Sequence, residues 1–164
     1  MSSPVVHPVF TNVDSAPVMA VGTIVWDYPN AKAYKYVKFL DAVTYKAGQV
    51  LAWGNTAATS VTNDIDGGGS AIVSTGNRTA GIATAVHTQN SYGFMQIAGV
   101  ALVEGDGSVA AGEAVVLHSV NGQADSMADG EEEQVFGTAL STDDTANDPL
   151  TTSALFYCKL SGLV

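Results

Sequence analysis

Residues 90–117, NSYGFMQIAGVALVEGDGSVAAGEAVVL, decide the fold. The side chains alternate as pleated sheet requires, first over 92–99 and again over 100–105. A glycine-rich tip, EGDGS (104–108), then interrupts the pattern, and a further strand begins after VAAGE (109–113). The stretch contains no nucleophile, no metal ligand and no phosphate cradle. A protein whose most patterned segment is pure strand-and-turn grammar is expected to be a structural binder.

The same grammar extends in both directions. Strands are expected at 20–26, 33–41, 48–54, 81–88, 113–119, 134–141 and 154–160, separated by turn signals at intervals of roughly 8–12 residues. In AYKYVKFLD (33–41), Tyr34, Tyr36, Lys38 and Leu40 fall on one side and Lys35, Val37 and Phe39 on the other. No window carries a sustained helical stripe. The expected class is all-β, a compact barrel or sandwich of β-tulip-like form. TYKAGQVLAW (44–53) and SVAAGEAVVL (108–117) echo each other, each a turn at a glycine (Gly48, Gly112) that leads a strand into the core.

Residues 1–18 hold Pro4, Pro8 and Pro17 and few large apolar groups, which suits neither a helix nor a central strand. They are read as an extended N-terminal arm on a single β-rich domain spanning 19–164, with a glycine-rich loop at about 55–80. The arm is expected to order against a neighbouring subunit or a larger surface.

Composition narrows the function. Charged residues are 13% of the chain, and the net charge is −10. Residues 1–50 sum to +1 and residues 51–164 to −11, which leaves no phosphate-neutralising patch and argues against nucleic-acid binding. Cys158 is the single cysteine; alternation places it level with Ala154 and Phe156, as a small buried hydrophobe, and no intrachain disulfide is possible. The N-terminus lacks the basic start and apolar core of a secretory signal, and no run approaches the roughly 18 apolar residues of a membrane span. The expectation is a soluble protein made in a cytoplasm.

No constellation points to catalysis. His7, His87 and His118 are too dispersed for a zinc site, and the latter two are read as strand residues with satisfied hydrogen bonds. TNDIDGGGS (62–70) opens like a calcium loop with Asp64 and Asp66, but the twelfth position holds Thr75 where a bidentate Glu is needed. The acids of EGDGS and Glu131, Glu132 and Glu133 are read as solvated. Nucleophile elbows and phosphate loops are missing. No enzyme activity, cofactor or metal is expected.

The phrase GFMQIAGVALVEGDGSVAAGEAVVLHSVNGQADSM, followed by EQVFGTALST and preceded by AYKYVKFLDAVTYKAGQVLAWG, resembles the head decoration (capsid cement) proteins of tailed bacteriophages. The resemblance covers roughly residues 33–160 and departs at the glycine-rich passage around 55–80. It implies a virion protein on the outer capsid surface, often trimeric, that binds the major capsid protein and stabilises the shell by bridging its subunits. The candidate docking residues are Pro4, Val5, Val6, Pro8, Val9 and Phe10 of the arm, then Lys32, Lys35 and Lys38. The alternative is a carbohydrate- or receptor-binding β-module of a phage tail or spike, for which Trp26, Trp53, Tyr28, Tyr34, Tyr36 and Tyr92 could form an aromatic platform.

Overall fold

The computed structural model describes residues 9–40, 44–54, 57–63, 79–117, 122–129 and 135–143, and the backbone of 155–161. Its strands are β1 (Val13–Asp14), β2 (Ile24–Asp27), β3 (Lys32–Phe39), β4 (Val50–Trp53), β5 (Ser60–Thr62), β6 (Thr79–Ala83), β7 (Tyr92–Glu104), β8 (Ala114–Leu117), β9 (Ala124–Ser126), β10 (Gly137–Ala139) and β11 (Leu155–Ser161). A 3-10 turn, Tyr28–Asn30, joins β2 to β3. The class is all-β, as the alternation requires.

Five strands close on themselves. The order runs β3-β5-β4-β6-β7, and the additional pairing of β3 with β7 completes the ring. Only β3–β5 is parallel; the other ring pairs are antiparallel. Closure removes the free edges that make open sheets sticky. The inward-facing residues Val37, Phe39, Tyr45, Leu51, Val61, Met95 and Ile97 fill the barrel. Tyr34 and Tyr36, one residue out of phase on the same strand, face outward and build a separate aromatic cluster with Phe94. The alternation of β3 thus serves two cores at once.

The two segments expected at 92–99 and 100–105 are one strand, β7, of 13 residues. Gly99 between them has a φ of +89°, so the strand kinks without ending. Before the kink β7 belongs to the barrel; after it β7 pairs with β11, with Val103 opposite Phe156 and Val100 opposite Lys159. That sheet continues through β10, β8 and β9 over a second core that includes Val103, Val109, Val115 and Phe136. The Gln96 side chain spans the kink, its Nε2 donating to the carbonyls of Ala98 and Val100, both at 3.0 Å.

The internal echo is geometric as well. Gly48 and Gly112 both sit at a φ of +91° in turns closed by Gln49 N–H to Lys46 O and Glu113 N–H to Ala110 O. In each turn the final side chain reaches back, Gln49 Oε1 accepting from Lys46 N–H and Glu113 Oε2 from Ala110 N–H. Each glycine also donates to an alanine of the partner strand, Ala83 or Ala139, whose own N–H returns to residue 49 or 113. One strand-entry device is used twice: β4 enters with Val50 in the second core and Leu51 in the barrel, and β8 enters the second core with Val115.

Of the arm expected over residues 1–18, the described residues 9–18 pack on their own domain. Phe10 stacks on Tyr34 at 3.8 Å and meets Phe94 edge-on at 5.3 Å. β1 pairs with β7 through Val13–Gly93 and Asp14–Tyr92. Tyr36 donates its hydroxyl to Asp14 Oδ2 at 2.7 Å, and burial together with this bond pushes its phenol up to about 12. This part of the segment is a lid on the outer aromatic cluster of its own domain. Residues 1–8 lie outside the described part, as do Asp64, Asp66, His7, His118 and Glu131–Glu133, and nothing described bears on the Cys158 side chain.

Candidate docking surface

Of the expected docking residues, Pro4, Val5, Val6 and Pro8 lie outside the described part. Val9 is 57% exposed, whereas Phe10 is committed to Tyr34 and Phe94. The three lysines of β3 do not form one face. Lys35 lies on the inner side of the strand with Ala33 and Val37, near the barrel mouth, and its Nζ sits 4.7 Å from the centre of the Trp53 ring. Lys32 lines a cleft of about 280 Å³ on the outer side with Phe10, Tyr34, Thr84, Gln96 and Leu102. Lys38 is half-buried, and its backbone N–H donates to Thr59 O.

Among the described residues the most exposed aromatic surface lies on β2 and the turn after it, whose Trp26 and Tyr28 the sequence reading named only for the alternative aromatic platform. Ile24 is 39% exposed, Trp26 55% and Tyr28 81%, and the Trp26 and Tyr28 rings stack at 6.3 Å. Alternation puts Ile24 and Trp26 on one side, while Val25 turns inward onto the outer aromatic cluster. β2 pairs with β3 alone and ends the strand order, so among the described residues its other edge has no strand partner. Ile24 stands opposite Lys35 and Trp26 opposite Ala33, which sets the apolar strip next to Lys35 across the strand pair. The signal was present in the sequence: TIVWDYPN carries two large aromatics flanking an aspartate just before a turn, at positions too polar and too short for a buried strand. The other aromatics of the imagined platform are taken: Tyr34 and Tyr36 are buried, and Tyr92 and Trp53 pack against cores.

His87 corrects a second reading. Its ring is fully buried, stacks on Phe39 at 3.7 Å and presses on Gly93, and neither ring nitrogen has a hydrogen-bond partner. Burial lowers its pKa to about 4, against a smaller upward pull from Asp14. Such a histidine is a neutral aromatic filler, with no room for a substrate. Among the described residues, no three His, Cys, Asp or Glu side chains gather as a metal site would require, and no helix is long and apolar enough to cross a membrane.

The architecture defines a closed five-stranded barrel carrying an appended antiparallel sheet and a small aromatic lid. Among solved structures, the head fiber gp8.5 N base of bacteriophage phi29 has a similar fold, with a TM-score of 0.50 at 13% identity, over 85% of this chain and 95% of that chain. No family model matches the sequence, and no curated protein matches it.

Proposed function

We propose that this chain is a structural protein of a tailed-phage head, held on the outer capsid surface, where it stabilises the shell by bridging neighbouring major capsid protein subunits. The observation that carries the proposal is the fold likeness to the phi29 head fiber base, which spans nearly the whole of that module. The decoration-protein grammar of residues 33–160 supports it independently. The mechanism is association alone. A protein that binds only the assembled state stabilises that state in proportion to its occupancy. As a homotrimer it would make its second and third contacts intramolecularly, with avidity gains on the order of 10²–10⁴.

Purified protein mixed with heads that lack it is expected to sediment with them and to saturate at a copy number fixed by the capsid lattice. Heads that leave it in the supernatant contradict the proposal. The exposed Trp26–Tyr28 pair favours one second reading, since an aromatic face also suits a sugar ring. Selective retention on a glycan array, with no binding to heads, is the outcome that reading requires.

A further inference from the structure

We infer that the free edge of β2 is a strand-addition site for an extended, acidic segment of another protein, with Trp26 as its apolar anchor and Lys35 as its charge contact. The inference rests on the proposed function in taking that other protein to be the capsid protein.

Three features point to it. First, β2 is blunted only by its shortness, four residues, and by Asp27 at its end. Ile24–Val25–Trp26–Asp27 has no proline, no lysine and no bulge, and it presents large apolar groups to water. Such an edge offers a row of backbone donors and acceptors to a passing strand, while side chains on the exposed face set specificity.

Second, the charge around it runs against the molecule. The chain has 16 acids and six bases, yet Lys35 on the neighbouring strand faces Ile24 across the pair and lies over the Trp53 ring, whereas Lys32 stands opposite Asp27. Lys35 is held against Trp53 by the ring face, which fixes the amine in place without neutralising it. A positioned cation beside an apolar strip, with no ion pair to it among the described residues, complements an acidic partner.

Third, six of the eight acids among the described residues accept hydrogen bonds within the chain. Asp14 accepts from Tyr36 and Asp27 from Asn30. Asp106 accepts from Ser108, Asp125 also from Ser108, Glu113 from Ala110, and Asp143 from Gly107. These oxygens are held within the chain, so the described part of a second copy has little free acid to offer this edge, which favours a different protein as the occupant.

The test uses the full chain and heads that lack it. Trp26→Ala is expected to weaken head binding about 30-fold, the scale of a central aromatic anchor, and Lys35→Glu about 10-fold, with wild-type affinity falling as ionic strength rises. Both side chains are partly solvent-exposed, so unchanged thermal midpoints will show that the variants fold. A benzophenone side chain placed at position 28 is expected to crosslink to an Asp- or Glu-bearing extended stretch of the capsid protein. Variants that bind as tightly as wild type overturn this surface while leaving the proposed function standing; so does crosslinking to a second copy, or to a basic or helical segment. Wild-type protein that ignores the heads removes both.

Discussion

Acidification from pH 7 to pH 4 is expected to cost the fold about 3 kcal/mol through one side chain, His87. Its imidazole is fully buried between Phe39 and Gly93, with no hydrogen-bond partner on either nitrogen, and its pKa falls to about 4. In the unfolded chain the same group titrates near 6.5. Between these values the unfolded state takes up a proton that the native state refuses, so stability declines as pH drops from about 6.5 and levels off below about 4. Asp14 is the charged neighbour that pulls the other way, and its pull is the smaller. The check is urea unfolding at several pH values for wild type and His87→Phe, which preserves the stack on Phe39 and removes the titration. The variant's stability should vary less over this window by about the stated amount. Equal pH slopes in the two proteins contradict the assignment.

Gly99→Ala is expected to destabilise the protein by about 3 kcal/mol, the sum of a strained backbone and an overpacked contact. At a φ of +89° an L side chain is disfavoured in itself. The added Cβ would also collide with the carbonyl oxygen of Ala31 and lie 3.0 Å from Lys32 Cγ. The carbonyl belongs to backbone at the β2–β3 connection and has little freedom to yield. In a chain of this size the loss corresponds to a fall in Tm of roughly 9 °C, measurable by calorimetry. A Tm within a degree of wild type would show that β7 does not need its kink.

These two positions also show where the sequence was legible. The alternation of residues 92–105 placed strand structure correctly, but a glycine within such a pattern signals a break and a kink equally well. Gly99 proved to be a kink because both halves of β7 find partners, β3 and β6 on one side and β11 on the other. The paired glycines Gly48 and Gly112 were legible as turns, because a conformation open only to glycine leaves a local mark.

The outward cluster was not legible. Phe10 lies among prolines, and nothing local shows that its ring will meet Tyr34, 24 positions further along. His87 was read as satisfied on the general rule that buried polar groups find partners; the flat stack on Phe39 is a tertiary exception. The lysines of β3 were grouped by proximity in sequence, although a period of two sends Lys35 to the opposite side from Lys38. The window TIVWDYPN hinted at an exposed Trp26, but that β2 is the last strand of its sheet is a matter of topology beyond any local window.

The proposed function has this barrel sitting on a virus head and gripping its subunits. A cryo-EM difference map between heads with and without the protein tests it most directly. The account predicts barrel-sized density outside the shell, repeated with the lattice symmetry and straddling joints between capsid subunits, with the β2 edge turned towards the shell. Absence of difference density on the head, or density only on the tail, would contradict it.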